Sequence, residues 1–201
     1  MSQLITIFPT SVFKTNYNRE FDANEKFTFD SYEKTSTENT GNKITPDHNV
    51  LGNSNSLSNL KQFFNKSIND YVRNAYNPTA ELDVYITESW INYTYPGQHH
   101  HLHYHPNSFI SGVFYYNTIP NDGLVFVKTV KGMFEIEPKE YNYLNSDSWS
   151  LPVINGDLLL FPSTLQHQVD KNKSNDVRIS LSFNTFIKGN ISKLKASALT
   201  V

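Results

Sequence analysis

The chain predicts a mainly β fold, a sandwich or jelly roll with one long amphipathic helix packed on a sheet. Three observations carry this. Six short segments rich in β-branched and aromatic residues succeed one another between residues 82 and 187, separated by turn signals. Ahead of them, apolar residues at three- and four-residue steps mark one helix. No internal repeat and no linker divides the 201 residues, so a single domain over 1–201 is expected.

Taken in order, "LITIFPTSVFKTNY" reads as two short strands or one bulged edge strand, with Pro9 as the break. Residues 33–56 are mostly polar and read as loop. From Leu57, the positions Leu60, Phe63, Phe64, Ile68, Tyr71, Val72 and Ala75 form the apolar stripe of a helix of about five turns, ended by Asn77-Pro78. Residues 1–80 thus form a strand, loop and helix support. The core, 81–188, holds the strands "LDVYITESWINYTY", "FISGVFYYNT", "LVFVKT", "MFEIEP", "GDLLLFP" and "VRISLSFNTFI"; residues 189–201 are a tail.

Composition narrows the chemistry. Net charge is −2, with no Lys/Arg run, which argues against nucleic acid as partner. There is no cysteine, so disulfides, thiolate metal sites and a cysteine nucleophile are excluded, and any metal is left to His, Asp, Glu or Tyr. No apolar run approaches the roughly 20 residues of a membrane span. The start, "MSQLITIFPTSVF", lacks the basic and apolar blocks of a secretory signal. A cytoplasmic location, in the cell or in an infected host, is expected.

Two segments carry the functional signal. In "VRISLSFNTF", Val177, Ile179, Leu181 and Phe183 alternate with Arg178, Ser180, Ser182 and Asn184. The polar set either faces solvent or lines a wet cup inside the barrel. The stretch "GQHHHLHYHP" holds five of the seven histidines. Imidazoles two residues apart on a strand share a face and can converge on one ion. His99/His101, His101/His103 and His103/His105 all qualify, and spacing does not choose among them. A third ligand must come from elsewhere, and His167 is the histidine that follows. The polar segment 170–176 reads as a turn, and a hairpin there would set His167 opposite Arg178.

At this point the sequence resembles the iron(II)- and 2-oxoglutarate-dependent oxygenases. Prolyl-hydroxylase-type members carry Gly-Gln-His-x-x-x-His-x-Asp, and here Gly97, Gln98, His99, His103 and His105 stand in that order. The resemblance makes His103 the first metal histidine and His167 the distal one. It implies Arg178 and Ser180 as the Arg-x-Ser that holds the far carboxylate of 2-oxoglutarate, with Tyr115 beside them. It also implies Tyr95, of "YPG", near the metal end of the co-substrate. More closely, "FPT", "W-x-N", "H-x-HPNS", "SGV", "FPS-x-L-x-H" and "R-x-S-x-SFN" resemble a subgroup of such oxygenases found in marine bacteria and their phages. The implied fold is a double-stranded β-helix, cupin-like; the implied cofactors are Fe(II) and 2-oxoglutarate; the implied substrate is a small molecule or peptide, with succinate and CO2 released.

One departure matters. His105 stands where the family usually has Asp, so either it is the third ligand beside His103 and His167, or water or substrate fills that place. Asp157 is a conceivable carboxylate without spacing to support it. Two other functions stay open: a three-histidine cupin-type dioxygenase that uses no 2-oxoglutarate, and a non-catalytic jelly-roll binding protein.

Overall fold

A computed structural model describes residues 2–79, 82–130, 132–192 and 199–200. The chain runs β1 (Phe13–Asn16), α1 (Ala23–Thr35), β2 (Thr37–Glu38), β3 (Lys43–Ile44), α2 (Val50–Asn53), α3 (Ser58–Ala75), β4 (Asp83–Thr94), β5 (His100–His103) and β6 (Ile110–Asn117). It continues through β7 (Gly123–Val127), β8 (Ser148–Pro152), β9 (Asp157–Pro162), β10 (His167–Val169) and β11 (Arg178–Lys188). Two antiparallel sheets of a double-stranded β-helix result. One has the order β1-β9-β6-β11-β4-β3-β2, the other β5-β10-β7-β8.

The larger sheet has two buried faces, and each has its own core. On the outer face, α3 lays Leu60, Phe64 and Ile68 onto Ile91 and Tyr93 of β4, Phe114 of β6 and Leu181 and Phe183 of β11. These side chains are fully buried, each contributing roughly 1.5–3 kcal/mol. Phe64 stacks on Phe183 with ring centroids 5.0 Å apart. The helix stops where expected: Asn77 takes a left-handed φ of 41° and its N–H returns to the Val72 carbonyl, with Pro78 barring continuation. Between the sheets, Val113, Tyr115, Leu124, Phe126, Leu159 and Phe161 form the second core. It fills one part of the interior and leaves the remainder to polar side chains.

Helix α1 is absent from the reading of the sequence, yet it carries a complete capping box. Asp22 accepts from the N–H groups of Asn24 and Glu25, both at 2.9 Å, while Glu25 accepts from the Asp22 N–H at 3.0 Å. Phe29 of this helix stacks on Tyr116 at 3.9 Å. The region expected as loop, 33–56, therefore begins inside a helix and also holds β2, β3 and α2. Of the early apolar segment, only Phe13–Asn16 is a strand; Leu4, Ile5, Ile7 and Phe8 are exposed. "MFEIEP" is no strand either. Met133, Phe134 and Ile136 are exposed, and no partner strand lies beside them among the described residues. Within the expected tail, residues 193–198 and 201 lie outside the described residues.

Gly112 of β6 sits against the Phe183 ring, so closely that a Cβ there would overlap it. Gly112→Ala is expected to lower stability by about 1–3 kcal/mol, read as a shift in the denaturant midpoint. An unchanged midpoint would show that the sheet relaxes around this contact.

Candidate active site

β11 alternates as its sequence dictates. Ile179, Leu181 and Phe183 enter the outer core, while Arg178, Ser180, Ser182 and Asn184 turn inward and are buried. Arg178, Ser180 and Ser182 line a cup between the sheets and Asn184 lines its mouth, so the cup reading is the one that holds. On β4, Thr94, Asn92 and Trp90 face the same cup, registered against Arg178, Ser180 and Ser182 respectively. From the other sheet come His103 of β5 and His167 of β10, which are direct register partners. His105 follows β5, tied by its N–H to the Ser163 carbonyl at 2.9 Å.

His103, His105 and His167 each offer a ring nitrogen within 4.8 Å of the other two. The hydrogen bonds fix two tautomers. The Nδ1 of His103 lies 2.8 Å from the His101 carbonyl and that of His167 2.9 Å from the Leu165 carbonyl. A carbonyl only accepts, so both Nδ1 atoms carry the proton and both Nε2 lone pairs are free. The Nε2 atoms of His105 and His167 are 3.3 Å apart. Two nitrogens held by one ion at about 2.1 Å, at angles between about 90° and 110°, stand about 3.0–3.4 Å apart. The donor set therefore suits a first-row ion that prefers imidazole.

Burial keeps these rings neutral. Desolvation, then the neighbouring His103, pulls His105 down to about 4 and His167 to about 3; burial also lowers His103. His100, which the sequence reading did not single out, belongs to the same group. Its ring stacks on His103 at 4.5 Å and lines the cup, and burial, then His103, lowers it to about 3. With His101 and His103 it forms a second trio of convergent nitrogens. His99 is outside both trios; its N–H binds the Gly41 carbonyl.

Arg178 lies at the floor with 1% of its surface exposed. Its Nε donates to both oxygens of Asp122, at 2.8 and 3.0 Å, and its Nη1 to the Ser180 hydroxyl at 3.3 Å. Its Nη2 is buried without a partner, and so is the Tyr115 hydroxyl. The guanidinium stands 5.1 Å from the Tyr115 ring centre. Two unsatisfied donors thus adjoin on the floor. Burial raises the Tyr115 phenol, while Arg178 opposes the shift, so the hydroxyl keeps its proton. Asp122 was legible only as part of the turn "PNDG", because nothing in a turn signal reveals an ion pair.

Three expectations need correction. No hairpin sets His167 opposite Arg178: β10 and β11 belong to different sheets, and residues 170–177 cross between them. The crossing is pinned by buried Asn172, whose Nδ2 donates to the carbonyls of Thr94 and Asp176 at 2.9 and 2.8 Å. The two residues still face each other across the cup, both lining its wall. Tyr95 is not in the cup; its hydroxyl donates to Glu33 of α1 at 2.8 Å. Pro96 and Gly97, at φ 84°, turn the chain immediately after it. Asp157 is no ligand, because it binds Asn16 and Lys14 and accepts from the Ile154 N–H.

Residues 88–184 match the family model described as "Putative 2OG-Fe(II) oxygenase". The matched segment spans just under half of the chain. It contains the whole constellation above, from the β4 wall to Asn184. Solved oxygenases share the fold. A prolyl hydroxylase from Trichoplax adhaerens, bound to a hypoxia inducible factor peptide fragment, aligns with TM-score 0.61 and 13% identity over 87% of this chain and 83% of its own. HygX from Streptomyces hygroscopicus, with nickel, 2-oxoglutarate and hygromycin B bound, aligns with TM-score 0.59 and 12% identity over 88% and 82%. A Pseudomonas putida prolyl-4-hydroxylase gives 0.51 and 14% over 87% and 92%. No curated protein sequence matches. Among the described residues, no helix is long and apolar enough to cross a membrane.

The depressed histidines set a pH dependence for the metal-free protein. Unfolded, each takes a proton near 6.5; folded, His105 and His167 do so only near 4 and 3. Stability is full above about 6.5 and falls as pH drops through the window between the unfolded and folded values. Melting of chelator-treated protein should therefore show a decline between pH 6.5 and 5, before carboxylates titrate. His105→Asn/His167→Asn should shallow the decline, leaving the part that His100 and His103 contribute, and a wild-type curve already flat there would contradict the neutral-imidazole assignment.

Proposed function

We propose that the protein is an iron(II)- and 2-oxoglutarate-dependent oxygenase that hydroxylates a small molecule or a peptide. His103, His105 and His167 hold the iron. Arg178, Ser180 and Tyr115 hold the far carboxylate of the keto acid. The observation that carries this is the Arg178 Nη2, buried without a partner in the same cup as three neutral imidazoles, with the Tyr115 hydroxyl, also buried without a partner, on the ring that the guanidinium faces at 5.1 Å. A buried donor left unsatisfied costs about 1–3 kcal/mol. An acceptor carboxylate at that spot relieves both.

When bound, iron and 2-oxoglutarate supply the oxidising chemistry: one oxygen atom of O2 enters a substrate C–H bond, the other enters succinate, and CO2 leaves. The chain does the remainder. Asp122 holds the guanidinium so that one edge is occupied and the other is offered to the ligand. Tyr115 donates from a phenol that burial keeps protonated. The carbonyls behind His103 and His167 fix which nitrogen faces the ion. Leu124 and Val113 line the cup and exclude water. With three neutral ligands in place of two and a carboxylate, the protein leaves the ion one negative charge short, which strengthens its pull on anionic oxygen donors such as the keto acid.

The free space in the cup is about 20 Å3, room for about one water. A five-carbon diacid enters only by displacing a wall side chain. His100 suits this because it lines the cup, the adjoining mouth and the outer surface. A cytoplasmic setting, reducing enough to keep iron ferrous, accords with the cysteine-free, carbonyl-supported histidine site.

The test is spectroscopic. The anaerobic iron(II) protein should gain a visible charge-transfer band on adding 2-oxoglutarate, and release succinate with O2. His167→Ala should lose both. Intact iron binding with neither band nor succinate rejects the reading. The three-histidine donor set also favours a dioxygenase that uses no keto acid; oxygen uptake with a small thiol alone would establish that instead. Tyr115→Phe separates the roles further. It should weaken 2-oxoglutarate binding about tenfold, while stabilising the ligand-free protein by about 1 kcal/mol, since it deletes an unpaired buried hydroxyl. Equal keto-acid affinity in the variant would place the carboxylate elsewhere.

A further inference from the structure

The cup has an electrical polarity along its length. Its inward positions on β11 and β4 pair in four rungs: Arg178 with Thr94, Ser180 with Asn92, Ser182 with Trp90 and Asn184 with Glu88. The floor rung carries a cation and the outermost rung an anion. Arg178 and Asn184 lie six residue steps apart, about 20 Å along the strand. The outermost rung opens into a mouth of about 280 Å3 that shares His100, His103 and His105 with the cup. Glu88 is the one Asp, Glu, Lys or Arg among the described residues lining this mouth.

Glu88 is held in place but not used up. Asn184, itself buried, donates from Nδ2 to one Glu88 oxygen at 2.6 Å, and Asn184 is fixed in turn by the Ser111 hydroxyl at 2.8 Å. The other oxygen is 3.9 Å from the His48 Nδ1, and no lysine or arginine pairs with it among the described residues. A carboxylate accepts about four hydrogen bonds, so most of its capacity is unused, on a side chain that is 43% exposed and lines the mouth. One rung inward, Trp90 stacks on His105 at 5.7 Å, and Tyr104, half exposed, lines the same mouth. A fixed carboxylate beside indole and phenol rings is a receptor for an organic cation.

We propose that the mouth selects a substrate bearing an ammonium group, received by Glu88 against Trp90, with an adjacent carbon presented to the histidine cluster. This rests on the oxygenase reading for its chemistry. The rungs then sort the two ligands by sign. The dicarboxylate is drawn to Arg178 on the floor and is disfavoured beside Glu88. The cationic substrate is drawn to Glu88 at the mouth and meets no free carboxylate on the floor, where Asp122 is engaged by Arg178.

The test compares matched probes on the whole chain loaded with cobalt(II), against the zinc(II) form as diamagnetic control. The probes are 4-phenylbutylammonium, 4-phenylbutyrate and 4-phenylbutanol. Proton relaxation of the ammonium probe should be enhanced about tenfold more than that of the other two at equal concentration. Glu88→Gln, which keeps an oxygen for Asn184, should reduce the ammonium effect about tenfold. Equal enhancement of all three probes, or an ammonium effect that survives Glu88→Gln, overturns the proposal. The iron(II) band with 2-oxoglutarate is recorded on the same preparations. A missing band beside intact ammonium selectivity tells against the oxygenase reading alone; a normal band without selectivity tells against the mouth alone. The band in Glu88→Gln shows that this variant is folded.

Discussion

The structure turns on a guanidinium buried where there is almost no water. An unpaired guanidinium inside the barrel would cost several kcal/mol. Asp122, from the turn before β7, meets it. That pairing joins the larger sheet to the start of the smaller one across the interior. It also fixes which edge of the fork is spent and which is left over. The polar cup exists because this pair, with Ser180 and Asn92 beside it, keeps the apolar interior core from closing over the remaining space.

The same division explains the two cores. The outer one is conventional packing of a helix on a sheet, and it makes β11 and β4 rigid. The inner one is partial. Val113, Leu124 and Phe161 fill one part of the interior and stop at Tyr115, whose ring packs while its hydroxyl does not. The imidazoles occupy the far wall. The site is thus a place where the fold tolerates unmet hydrogen bonds, which is affordable only because α3 and the outer core stabilise the strands that carry it.

How much of this was legible follows from what each signal encodes. Period-two alternation over β11 separated its two faces, which differ in polarity at every step, but did not say whether the polar one met solvent or a cup. The periodicity of α3 and the histidine cluster were equally plain. Short strands were not: β5, β8 and β10 contain three to five residues each, too few for a period to register. Helix α1 was hidden by a weak apolar stripe, although Asp22 and Glu25 spell its cap. The polar crossing of residues 170–177 looked like a hairpin because a turn's composition does not say which sheet the chain enters next; the side chain that decides it, Asn172, is one polar residue among several. Tyr95 went wrong for a related reason. A tyrosine beside a turn has two ways to face, and Glu33 on an unforeseen helix claimed it.

The placement of β5 has a structural consequence of its own. It is an edge strand of the four-stranded sheet and is bound to β10 by few ladder bonds. His103 lies on it and His105 just past its end, while their counterpart His167 is one strand further in. An ion gripped by all three is therefore also a rivet, fastening a ragged border to the body of the barrel. A chain emptied of its ion should loosen there first, baring backbone that other chains can zip onto. In the proposed iron-loaded form, loss of the ion would then govern how long the protein lasts.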